Sequence, residues 1–155
     1  VAAAPGALSP ELRTTVMLRN LPYQITRAKL VELLEQSGLG GQYDIVYVPM
    51  DFNREQSLGY SFVNLVSPEA ASMCFKYFDG LDKWQWKCSK VCQVVWSEVQ
   101  GFEANVDHYR NSPVMHPGIP APFKPTIYSG GLPVEFPAPT RELKCPRLRR
   151  GHRLK

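Results

Sequence analysis

Two aromatic residues two positions apart, Tyr60 and Phe62, lie in the stretch Ser57-Leu58-Gly59-Tyr60-Ser61-Phe62-Val63-Asn64-Leu65. In a β-strand both rings point to one face, while Val63 and Leu65 point to the other and can enter a core. Gly59 permits a kink or close backbone approach where that strand begins. Two exposed rings side by side need a cover, and nucleobases supply one at roughly 1–3 kcal/mol per stacked base. The indicated chemistry is stacking, not bond-making. His108, His116 and His152 are scattered, no GxSxG or HExxH occurs, and Gly130-Gly131 is too short for a phosphate cradle. Cys74, Cys88, Cys92 and Cys145 form no CxxC pair and have no paired histidine spacing, which argues against zinc. Cys88 and Cys92 would share a helix face only in a helix, and that segment reads as strand. We therefore expect no enzyme, no cofactor, no metal and no small-molecule substrate.

A second strand must stand beside the first. Val16-Met17-Leu18-Arg19-Asn20-Leu21 has an apolar alternation that turns Val16 and Leu18 inward and Met17 and Arg19 outward. The two stretches, in this order, resemble the hexapeptide and octapeptide of the RNA-recognition motif. Leu58 stands where the octapeptide has a basic residue, and Leu65 where it has its last aromatic. Met17 stands where the hexapeptide usually has an aromatic. Its thioether can lie on a base, with less dispersion surface than a ring. Arg19 can stack its guanidinium or bind a phosphate.

The remaining elements follow from local signals. Thr26 is a helix N-cap, Ile25 and Leu30 make a hydrophobic staple, and the helix runs to about Ser37 with Gly38 as its stop. Tyr43 to Val48 reads as a strand closed by Pro49, with Val46 and Val48 inward and Tyr47 on the face of Tyr60; a one-residue slip would reverse this. Asp51 to Gln56 reads as a polar loop. Ser67-Pro68-Glu69 opens a second helix by cap, proline and acid, and Asp79-Gly80 ends it. Cys92 to Trp96 makes a fourth strand. The fold class is α+β: a ferredoxin-like βαββαβ sandwich of the RNA-recognition type, with a four-stranded antiparallel sheet and two helices on one face.

Net charge is +4, but Arg141 to Lys155 alone carries +6, leaving −2 for the other 140 residues. Phosphate attraction in the folded part must therefore be local. We expect a flexible segment at 1–12, the RNA-recognition domain at 13–99, an extension helix at 100–112, and a disordered Pro-rich and basic tail at 113–155. Nine prolines between Pro113 and Pro146 argue against packed regular structure there. Free thiols in a reducing compartment are the plainer reading of the cysteines. No apolar run approaches the roughly 20 residues of a membrane span. The opening Val1 to Gly6 lacks an initiator Met and a signal pattern, and reads as a cut from a longer chain.

The match is narrower than the general motif. Arg13 to Pro22, Tyr43-Asp44, Val48 to Phe52, Gly59 to Asn64, Trp84, Val99-Gln100-Gly101 and His108-Tyr109-Arg110-Asn111-Ser112 resemble the carboxy-terminal RNA-recognition motif of the Mei-two-like meiosis regulators. The resemblance spans about Arg13 to Met115. It implies single-stranded RNA binding and, at a remove, control of meiosis and development in the nucleus and/or cytoplasm. Two to four unpaired nucleotides would cross the sheet, with Tyr60 and Phe62 stacking and Tyr47 and Met17 flanking. Arg19 would meet phosphate or a base edge. Asn20 reads as a strand-end hydrogen-bonder ahead of a base reader. Lys87 and Lys90 are candidates for backbone contacts, against a default of solvated surface. Trp84 reads as core; Trp86 reads as core or edge plug, and Trp96 as facing the open surface or the third helix. Arg147, Arg149 and Arg150 would add a salt-sensitive phosphate contribution, against a nuclear localisation signal or a solvated charge run. The competing class is a protein-interaction module, in which the Gln100–Asn111 helix shields the sheet and a protein is the partner. No membrane partner is expected.

Overall fold

The computed structural model describes residues 12–146. The expectations for the first eleven residues, and for Arg147, Arg149 and Arg150, lie outside the described residues. Strand β1 (Thr15–Arg19) leads to α1 (Arg27–Leu34) and a wide turn over Glu35–Leu39 that ends at the glycines. β2 (Tyr43–Tyr47) is followed by a short hairpin of β3 (Met50–Asp51) and β4 (Gln56–Ser57). Then come β5 (Ser61–Leu65), α2 (Pro68–Phe78), β6 (Gln93–Trp96) and α3 (Phe102–Arg110). The sandwich is the one expected from the alternation. β6, β1, β5 and β2 form adjacent antiparallel strands in that order, with α1 and α2 packed on one face.

Local chemistry explains both helices. Thr26 Oγ1 accepts from the Lys29 amide at 3.1 Å, and Ser67 Oγ from the Ala70 amide at 3.1 Å. These caps satisfy amides that a helix start leaves without partners. The period-two alternation places Val16, Leu18, Val46, Val63 and Leu65 against Leu30, Leu34, Ala71, Cys74 and Phe78, all at most 1% exposed. Each fully buried aliphatic or aromatic side chain contributes about 1.5–3 kcal/mol. The core therefore fixes the strand register and, with it, which residues face away from the helices. A bulge at Tyr43–Ile45 lets Tyr43 and Val46 face the core while Ile45 and Tyr47 face the other side.

The Pro-rich segment departs from its expectation. After short 3₁₀ turns at Pro113–Met115 and Ala121–Phe123, the chain forms β7 (Thr126–Ser129) and β8 (Leu132–Val134). β7 pairs antiparallel with β2, extending the sheet to six strands. The turn between β7 and β8 is Gly130-Gly131, with φ of 58° and 85°, as a tight hairpin requires. Tyr128 packs edge-on against Tyr43 at 5.1 Å, and Arg27 Nη1 donates to the Ala121 and Lys124 carbonyls at 2.9 Å each. No proline falls within Thr126–Ser129, so its backbone amides are available to the ladder. The loop expected at Asp51–Gln56 is likewise partly ordered: it closes the β3–β4 hairpin, and Phe52 stacks on Phe123 at 5.6 Å.

Candidate nucleic-acid interface

The register that buries Val16 and Val63 puts Met17 opposite Phe62, and Phe62 opposite Tyr47, on the face away from α1 and α2. Strand β5 begins at Ser61, two residues past the Gly59 at which the sequence pattern starts it, yet Tyr60 keeps to the same face. Its ring meets Phe62 edge-on at 5.8 Å, while Tyr47 and Phe62 are near-parallel at 6.4 Å. Gly59 has φ of +93°, a conformation that Cβ-bearing residues rarely adopt, and its carbonyl accepts from the Leu21 amide at 2.8 Å. That bond brings the end of β1 beside the start of β5 and fixes the position of Tyr60.

Helix α3 covers one side of this face. Val106 and Tyr109 bury Ile45 and Ile127 beneath them, and Tyr109 meets Tyr47 edge-on at 5.3 Å. What remains open is a groove of about 760 Å³. Its floor holds Met17, Tyr47, Tyr60 and Phe62, and α3 contributes Asn105, His108 and Tyr109. Ser97-Glu98-Val99 closes one side, and Pro49, Met50, Phe52 and Leu58 another. Among the described lining residues there is no lysine or arginine, and Glu98 is the one carboxylate. Burial beside Tyr60 pushes the Tyr47 hydroxyl up to about 12, and burial also raises that of Tyr109. Tyr47 is thus a neutral, half-buried contact.

A buried polar network holds α3 in place. Asn105 Nδ2 donates to Thr15 Oγ1 at 3.0 Å and to the Gly101 carbonyl at 2.7 Å. Thr15 Oγ1 donates to Asn64 Oδ1 at 2.6 Å and accepts from the Gly101 amide at 2.9 Å. Asn64 Nδ2 donates to Asp44 Oδ1 at 2.7 Å. Gln100 accepts from the Thr14 and Thr15 amides at 2.9 Å each, and donates to the Thr15 and Ser97 carbonyls at 2.8 and 2.9 Å. Burial lifts the Asp44 carboxyl to about 6, against the bonds it receives from Asn64 and its own backbone. These polar residues were not singled out as functional from the sequence. All but Ser97 and Asn105 lie in the runs that carry the family resemblance, which is the signal that could have found them.

The structure brings together Met17, Tyr47, Tyr60 and Phe62. It does not bring Arg19, Asn20, Lys87 or Lys90 into the groove. Arg19 and Asn20 line a separate hollow with Asp79, Gly80, Val91, Cys92 and Gln93, and Asn20 Nδ2 donates to the Val91 carbonyl at 3.0 Å. Lys87 is exposed in the loop before β6. Lys90 donates to the Leu21 carbonyl at 3.2 Å. Trp84 packs against the core and donates to the Lys90 carbonyl at 2.9 Å; Trp86 packs against the core as well. Trp96 lies at the end of the groove, but its ring packs on Phe75 of α2 at 4.7 Å with Arg13 above it. Cys74, Cys88, Cys92 and Cys145 are free thiols, and burial pushes Cys74 and Cys92 up to about 12. Among the described residues no helix is long and apolar enough to cross a membrane.

The family profile described as RNA recognition motif 2 matches residues 13–110, ending on the last residue of α3. The chain is 36% identical over 123 residues to protein terminal ear1 of Zea mays, covering 70% of this chain and 19% of that protein. It is 34% identical over 105 residues to protein MEI2-like 3 of Arabidopsis thaliana, covering 67% of this chain and 14% of that one. The chain thus spans less than a fifth of the length of these curated relatives. The solved structure of the Rna15 RRM with bound RNA (GU) is 19% identical, with a TM-score of 0.48, covering 61% of this chain and 94% of that one.

Proposed function

The chain belongs to the RNA recognition motif 2 family, and on that premise we propose that it binds single-stranded RNA by stacking bases in the groove between the sheet and α3. The observation that carries this reading is the convergence of Tyr60, Phe62 and Met17 on one open floor. Two stacked bases contribute about 2–6 kcal/mol, enough to offset much of the cost of ordering a short single strand. Tyr47, covered on one side by Tyr109, supports the stack from the edge and is not a full platform. The groove holds no cation of its own among the described residues, so bases enter it and phosphates remain outside. Arg19, Lys87, Lys90 and the basic residues Arg147, Arg149 and Arg150 are the candidates to meet those phosphates. This is a binding activity and not catalysis. A role in post-transcriptional control of meiosis or development, in the nucleus and/or cytoplasm, is the wider reading that the family suggests.

One observation favours a second reading. A groove with no lysine or arginine among its described lining residues, carrying Glu98 and partly covered by a helix, also suits an apolar peptide from a protein partner. Fluorescence anisotropy with a random pool of short single-stranded RNA separates the two, comparing wild type with Tyr60→Ala/Phe62→Ala at two salt concentrations. Loss of binding by a folded double mutant supports the groove as the RNA platform. Equal binding by both, vanishing at high salt, assigns RNA to the tail. No binding by either transfers the assignment to a protein partner.

A further inference from the structure

We infer that Tyr23 and Lys90 form a second RNA contact beside Gly59, outside the groove, with Lys90 standing in for the cation that the octapeptide lacks at Leu58; the inference rests on the RNA-binding reading above. Leu58 is 47% exposed and carries no charge where the general motif has a basic residue. A phosphate leaving a base stacked on Tyr60 therefore finds no partner on its own strand. It finds one from the loop before β6. A Cβ built on Gly59, the residue preceding Tyr60, would lie 3.9 Å from Lys90 Nζ and 3.9 Å from Tyr23 Cε1.

The two side chains are arranged for the task in advance. Lys90 Nζ sits 3.6 Å from the centre of the Tyr23 ring and donates to the Leu21 carbonyl at 3.2 Å. An ammonium has three protons. One serves the carbonyl, one faces the ring, and the third is free for an anionic oxygen. The lysine is half-buried, so much of the cost of ordering its four-carbon stem is met before ligand arrives. Tyr23 is 53% exposed, and its carbonyl accepts from the Ser57 amide at 3.0 Å, which fixes the ring's base beside the octapeptide strand. With the cation on its ring, the exposed part of Tyr23 offers a surface for the base next to the one on Tyr60. Stacking and charge neutralisation then come from one paired unit.

The test uses the whole chain and a fluorescein-labelled random pool of eight-nucleotide single-stranded RNA, with affinity measured across a salt series. Lys90→Met is expected to weaken binding and to reduce the slope of log affinity against log salt by about 0.7, the value for one phosphate on a single strand. Lys90→Arg is expected to retain the slope. Tyr23→Ala is expected to weaken binding about 5- to 140-fold, while Tyr23→Phe retains it. Loss of the Leu21 hydrogen bond alone lowers the melting temperature but does not move the salt slope. An unchanged slope in Lys90→Met, or Tyr23→Ala binding within twofold of wild type, overturns the inference. If those variants bind normally while Tyr60→Ala/Phe62→Ala does not, the groove reading stands without it. Absence of wild-type binding overturns both.

Discussion

Asn105→Ala is the substitution that most directly probes why α3 lies on the sheet. The side chain is 2% exposed, and its Nδ2 gives one hydrogen bond to Thr15 Oγ1 and one to the Gly101 carbonyl. A hydrogen bond contributes about 0.5–1.5 kcal/mol net, so the two together contribute about 1–3 kcal/mol. The cost does not run higher, because Thr15 Oγ1 keeps the Gly101 amide and Asn64 as partners and is not left orphaned. For a chain of this size about 1 kcal/mol corresponds to roughly 4 °C, so the midpoint should fall by about 4–12 °C. Hydrogen exchange in α3 should accelerate more than in β5, because the lost bonds join the helix to the sheet and not the strands to each other. Pairing the change with Thr15→Val in a double-mutant cycle should give a coupling of about 0.5–3 kcal/mol. A midpoint within about 1 °C of wild type and unchanged exchange in α3 would mean that the helix is held by its apolar side alone.

Asp44 predicts a pH dependence. Its native carboxyl titrates near 6 against an ordinary value of 3.8, so folding favours the protonated form. The stability it contributes is complete below about 4 and is lost as pH rises through about 6. Asp44→Asn should therefore be more stable than wild type at pH 7 and should flatten the urea midpoint between pH 4 and 7; an equal slope in both proteins would contradict this. Ile127→Ala tests the strand contributed by the Pro-rich segment. Ile127 is 6% exposed under α3, and its truncation should cost about 2–5 kcal/mol in urea denaturation. A cost below about 0.5 kcal/mol would mean that β7 does not pack as described.

The elements that carry their own cap, stop and alternation were legible in the sequence. Ser67-Pro68-Glu69, Thr26, and the paired strands holding Val16 and Val63 dictate local structure through contacts a few residues long, and the floor of Met17, Tyr47, Tyr60 and Phe62 follows from them. The position of α3 was not legible in the same way. It depends on Asn105, Thr15, Asn64 and Asp44 meeting across separations of up to 90 residues, and polar residues at such distances leave no periodic trace. The β7–β8 hairpin had a local signal, the Gly130-Gly131 turn between β-branched and aromatic residues, but the surrounding prolines masked it. The seat of Lys90 was hidden for a third reason: a cation over the ring of Tyr23 is a contact between two loops. Sequence spacing could nominate Lys90 for phosphate without showing that its neighbour is an aromatic ring.

Bases entering the groove between the sheet and α3 would perturb its floor and leave the helical face untouched. The most direct measurement is an NMR titration of the isotope-labelled chain with an eight-nucleotide single-stranded RNA of mixed sequence, following backbone amides and the methyl group of Met17. The largest shifts are expected at Met17, Tyr60, Phe62, His108 and Tyr109, with α1 and the outer surface of α2 unchanged. Shifts confined to α1 and α2, with Met17 and Phe62 unmoved at saturation, would contradict this.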